Sequence, residues 1–218
     1  MRTSIRVLVE TTPKKVFVSA LDWPGWSRGA RDEVAAIEAL LAVAPRYEEV
    51  AAAAGYPVAA DEPGIEIVVA ERAEGDAGTA FGGPAIVAEA DRVAADGVES
   101  ARLAALVKAA WVAFDRIAAA APEELRKGPR GGGRARSKVV AHVTQAEAAY
   151  AQVMGRKHRP DDPAAVAAMR ADILAVLGQP SDGAPLAGKR WPPRYAARRI
   201  AWHVLDHAWE IEDRTDPA

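Results

Sequence analysis

Strand-like alternation is confined to the first seventy or so residues, and everything after about residue 85 follows a helical period. RTSIRVLVET (Arg2 to Thr11) and KKVFVSAL (Lys14 to Leu21) are rich in β-branched residues around a turn containing Pro13, which predicts a hairpin. DWPGWSRGARDE reads as a turn-rich segment punctuated by Pro24 and Gly25. A helix is expected from about Arg31 to Ala44, with Val34, Ile37, Leu40 and Leu41 on one side and Pro45 as its stop. A second alanine-rich helical piece runs from Tyr47 to Ala54 and ends at Gly55, and IEIVVAE (Ile65 to Glu71) reads as another strand. Together these form a small α+β unit over residues 1–75.

From Arg72 to Pro84 the chain is glycine-rich and poor in large apolar side chains, so residues 76–84 read as a linker, with Phe81 expected to anchor it to a domain surface. Four amphipathic segments follow. The first, about Val98 to Arg126, aligns Leu103, Leu106, Val107, Ala110, Trp111, Phe114, Ile117 and Ala121. The second, Ser137 to Met154, takes Ser137 as its N-cap and Val139, His142, Val143, Ala146, Tyr150 and Val153 as its inward stripe. The third, Asp162 to Leu177, aligns Val166, Met169, Ile173, Val176 and Leu177, and the fourth starts at Pro193. The expected fold class is thus an α+β N-terminal unit followed by an all-α four-helix bundle over residues 85–218.

The fourth helix carries the chemistry. Ile200, His203, Val204, His207 and Ile211 share one stripe, and the two histidines, four residues apart, project side by side from an apolar face. Adding His142 from the second helix gives three nitrogen donors aimed into one core, a set that leaves a coordination position open on a metal. The alternative is histidines that merely pack in the core. A metalloprotease HExxH motif is excluded, because Val204 stands where its glutamate would be. His158, among charges in GRKHRPDD, is expected in solvent. Glu210, seven residues beyond His203, and Glu147, five beyond His142, are the candidates for a catalytic base, a proton shuttle or a carboxylate that orients a ligand imidazole. Surface salt-bridging is the alternative for both, and Asp206, which directly precedes a ligand position, should point elsewhere.

Trp202, Leu205 and Trp209 make a second stripe on the same helix, so that face must also be covered, by the N-terminal unit or by another subunit, with Trp191 and Tyr195 adding to the contact. The basic loop KGPRGGGRARS lacks the Lys-Ser/Thr ending of a P-loop and has no strand before it, so it reads as a solvated loop.

Composition narrows the chemistry. The 218 residues include no cysteine, which excludes disulfides, thiolate metal sites and a cysteine nucleophile, so any thiol must arrive with the substrate. A net charge of -2 argues against nucleic acid as a partner. With no apolar run of membrane-spanning length and no basic leader, no membrane partner and a cytoplasmic location are expected.

Two resemblances follow from these residues. The hairpin followed by PGWSRGARDEVAAIEALLA resembles the HicB-like antitoxin fold, over about Val7 to Ala44, with Trp26 after the Pro-Gly turn as a departure. RSKVVAHVTQAEAAY on the second helix, IAWHVLDHAWEI on the fourth and the order of four helices resemble the DinB/YfiT-like superfamily of metalloenzymes, from about Ala85 onward. That second resemblance implies a four-helix bundle holding a divalent metal, zinc or nickel most often, through His142, His203 and His207. It further implies a low-molecular-weight thiol cosubstrate of the bacillithiol or mycothiol kind, and a thiol-dependent S-transferase or hydrolase acting on a small molecule. The N-terminal unit is not part of the usual pattern. A non-catalytic ligand-binding or protein-interaction role, an antitoxin-like partner for the N-terminal unit, and a homo-oligomer stay open.

Overall fold

The computed structural model describes residues 3–58, 64–127 and 135–215. Strands β1 (Thr3–Thr11) and β2 (Val16–Ala20) form the expected hairpin, closed where Thr12 N–H donates to Lys15 O at 2.8 Å. A third strand, β3 (Ser27–Ala30), then pairs antiparallel with β2. Its sequence SRGA has no strand signature of its own. It is recruited by β2, and Gly29 makes room for Phe17, since a Cβ there would sit 2.6 Å from Phe17 Cζ.

Helices α1 (Glu33–Ala42) and α2 (Ala44–Ala53) follow, the first capped by Asp32 accepting from Ala35 N–H. Trp26, fully buried, holds the turn to both helices: its Nε1 donates to Leu40 O at 2.9 Å and its ring stacks on Tyr47 at 5.1 Å. Strand β4 (Ile65–Glu74) returns parallel to β1, giving a mixed sheet of order β3-β2-β1-β4 with a bulge between Val7 and Leu8.

Residues 76–84 contain a short helix, α3 (Ala77–Phe81), started by an Asp76/Thr79 capping box. Phe81, expected to anchor this segment, is 95% exposed; the anchor is Thr79, whose hydroxyl donates to buried Glu10 on β1 at 2.9 Å. A single 3₁₀ turn at Glu89–Arg92 leads into α4 (Gly97–Ala120), capped by Asp96.

The remaining helices are α5 (Arg136–Val153), α6 (Pro163–Leu177) and α7 (Pro193–Asp213). Ser137 does not cap α5. The helix starts one residue earlier, and the Ser137 hydroxyl donates to Glu123, joining the end of α4 to the start of α5. Most of the basic loop before α5 lies outside the described residues.

α4 to α7 pack as a bundle in which α4 lies along α7, α5 contacts α6 and α7, and α6 contacts α4. The stripe Trp202, Leu205 and Trp209 is covered by the N-terminal unit. Phe17 meets Trp202 edge-on at 6.0 Å, Arg28 lies over Trp209 at 4.3 Å, and Gly25 abuts Leu205. α7 is therefore buried on nearly every face, and one cluster of buried apolar side chains runs from Ile5 and Val9 through Leu106 and Phe114 to Ile211. No helix among the described residues is long and apolar enough to cross a membrane.

Candidate metal centre

α7 places its histidines by simple periodicity. His203 and His207 are one turn apart on the face toward α5, only 7% and 9% exposed. His142 comes from α5. It is exposed, where the sequence suggested a core position, because the buried stripe of α5 is Val139, Val143, Glu147 and Ala151 and His142 flanks it. The helix is rich in alanine, so its apolar period leaves the rotational phase of the stripe poorly marked.

The three rings nevertheless converge. Their centroids stand 5.1 Å (His142–His203), 4.9 Å (His142–His207) and 4.7 Å (His203–His207) apart, and one ligand nitrogen from each lies within 4.8 Å of the others. His142 Nε2 and His203 Nε2 are separated by 3.2 Å. Two imidazole nitrogens bound tetrahedrally to one zinc ion at about 2.05 Å would be about 3.3 Å apart. The donor set thus suits a divalent ion: three imidazoles, closed off on the α7 side and open to solvent beside His142.

Glu210 lies beside the cluster. Its Oε2 is 2.7 Å from His207 Nδ1, and its Oε1 forms an ion pair with Arg214 Nη1 at 3.0 Å, so the carboxylate is itself held in place. A carboxylate on Nδ1 fixes the tautomer that leaves Nε2 as the ligand atom and makes the ring a better donor.

Glu147 lies elsewhere. It is fully buried and accepts two hydrogen bonds from Arg170 of α6, at 3.0 and 3.2 Å, while Arg170 also bonds Asp115 of α4 at 2.7 Å. Burial pushes its carboxyl above the ordinary value and the Arg170 guanidinium opposes the rise. This triad ties α4, α5 and α6 together and does not reach the histidines. Asp206, as expected, points away from the cluster to Arg28, 3.2 Å distant. His158 is mostly withdrawn from solvent and 3.0 Å from Asp172 of α6, a contact that its charged surroundings in sequence did not suggest.

Several neighbours were given no part in the site from the sequence. Tyr150, two turns beyond His142 on α5, meets His203 edge-on at 5.7 Å and Trp191 at 5.2 Å. Burial raises its phenol above the ordinary value, and Arg199 opposes the rise. Arg199 precedes His203 by one turn, spreads over Trp202 at 4.7 Å and donates to Pro84 O at 3.0 Å. The only sequence signal for it is the RRIAWH spacing, which puts an arginine on the histidine face. A groove of about 960 Å³ between α4, α5 and α6, lined by Phe114, Asp115, Thr144 and Arg170, contains none of the three histidines. No family model, curated protein or solved structure matches the chain.

Proposed function

We propose that His142, His203 and His207 bind one divalent metal ion, with Glu210 orienting His207, and that the protein is a metal-dependent enzyme acting on a small molecule. The observation that carries this reading is the convergence of three imidazole nitrogens within 4.8 Å, one of them backed by a carboxylate at 2.7 Å. Three protein ligands leave a coordination position vacant, and the exposure of His142 puts that position on the solvent side. Three imidazoles suit zinc, nickel, iron or copper, and the DinB/YfiT resemblance of the helical part favours zinc or nickel among them.

When bound, such an ion lowers the pKa of a coordinated water or thiol and so supplies a nucleophile near neutral pH. The protein's own groups do the remainder. His203 and His207 present their nitrogens from a helix that cannot shift without breaking its contacts with both the bundle and the sheet. Glu210 holds His207 in one tautomer and is the carboxylate best placed to take up a proton close to the site. Trp191, Trp202 and Tyr150 close the apolar side of the cluster and limit the approach of water from there.

The reaction class we favour is thiol-dependent group transfer, with hydrolysis as its variant. The absence of cysteine means that a sulfur nucleophile would belong to a cosubstrate, in keeping with the DinB/YfiT resemblance of the helical part. The test is metal analysis of untagged protein beside the His203→Ala, His207→Ala double variant. Metal bound by the parent and lost from the variant supports the reading, and equally little metal in both removes it.

A further inference from the structure

Of the described arginines that are partly or fully withdrawn from solvent, all but one have a carboxylate within 4.0 Å. Arg28 has Asp206, Arg46 has Glu212 and Asp213, Arg102 and Arg194 share Glu99, Arg136 has Glu123, Arg170 has Glu147 and Asp115, Arg198 has Asp91, and Arg214 has Glu210. Arg199 is the exception among the described residues, and it stands next to the histidine cluster. Its neutral partners position it without neutralising it. Pro84 O accepts from Nη1, the Trp202 ring lies beneath the guanidinium at 4.7 Å, and the Tyr150 ring is 6.0 Å away. Gly83 is shaped around it, since a Cβ there would fall 2.5 Å from Arg199 Nη1 and 2.9 Å from Trp202. A half-buried, aromatic-flanked guanidinium with no counter-charge is a receptor for an anion that arrives from outside, and its planar fork suits a carboxylate.

We propose that Arg199 anchors a carboxylate of the substrate, about one helical turn along α7 from the metal position, so that the preferred ligands are organic acids bearing a metal-binding group at their other end. This rests on the metal reading above. The spacing of Arg199 and His203 along α7 is roughly 6 Å, within the span of a four-carbon diacid. The Trp202 and Tyr150 rings between them would line the apolar middle of such a ligand.

The test loads the full chain with cobalt(II) and follows its visible absorption while succinate, or its monoamide succinamate, is titrated in. Both carry a carboxylate for the metal, and only succinate carries a second one for Arg199. The expected result is that succinate binds about tenfold or more tightly than succinamate. That preference vanishes in Arg199→Gln with the cobalt spectrum retained, and persists in weakened form in Arg199→Lys. Equal affinity for the two ligands in the parent protein, or an undiminished preference in Arg199→Gln, overturns the anchor and leaves the metal reading standing. Failure of the parent to bind cobalt at all removes both.

Discussion

His207 and Glu210, one turn apart on α7, meet with 2.7 Å between Nδ1 and Oε2. The contact is the one expected of a carboxylate that orients a ligand imidazole, the reading given to Glu210 from its spacing along the helix. Removing the carboxylate by Glu210→Ala is expected to weaken metal affinity about 10- to 100-fold without unfolding the chain, and Glu210→Gln should do less. Competition against a chromogenic chelator measures this, and unchanged affinity in Glu210→Ala would detach Glu210 from the site.

Glu147 should behave in the opposite way. Its carboxylate is buried against Arg170, so Glu147→Ala takes from that half-buried guanidinium the buried one of its two carboxylates, Asp115 remaining, and is expected to cost roughly 1–3 kcal/mol of stability. Metal affinity of the folded fraction should be unaffected. Denaturant titration and metal binding of the same variant separate the two effects, and a loss of metal at full stability would place Glu147 in the site.

Glu10 gives a pH signature. Burial raises its carboxyl above the ordinary value of 4.5, against hydrogen bonds from Ala85 N–H, Thr79 and Ile86 N–H and the nearby Arg198. A carboxyl whose folded value lies above its unfolded one favours the folded state while protonated. That contribution is complete below the unfolded value and is lost as pH rises through the folded one. Glu10→Gln, which cannot ionise, should therefore match the parent's melting temperature at pH 4 and exceed it at pH 8. An equal difference at both pH values would show that Glu10 carries no such linkage.

Gly25 tests how the sheet unit is seated on α7. It has a φ of +99° and a Cβ there would come within 2.8 Å of Leu205 Cδ1. Gly25→Ala combines backbone strain with overpacking against a rigid helix, and a loss of about 1–3 kcal/mol is expected from thermal or denaturant unfolding. A neutral substitution would mean that the sheet and α7 are free to adjust.

The parts of this architecture that rest on local pattern were legible in the sequence. β-branched runs marked β1, β2 and β4, and the 3.6-residue period marked α4 to α7. β3 was not legible, because Ser27–Ala30 is a strand only through its pairing with β2, and α3 was hidden in a glycine-rich stretch whose Asp76 and Thr79 form the capping box. At the site, the i, i+4 spacing announced His203 and His207, and the helical period of α5 supplied His142. The solvent-facing placement of His142 depends on how α5 is rotated against α7, which alanines do not encode. The pairing of Glu147 with Arg170 and, among the described residues, the lack of a carboxylate beside Arg199 are tertiary relations between separate elements, and no spacing in the chain reports them.

If side chains from α5 and α7 hold a single cation between them, diffraction from crystals grown with zinc, measured at the zinc absorption edge, shows an anomalous peak roughly 2 Å from one nitrogen each of His142, His203 and His207. A map with no peak at that point, from crystals in which the three rings keep the positions described, would contradict it.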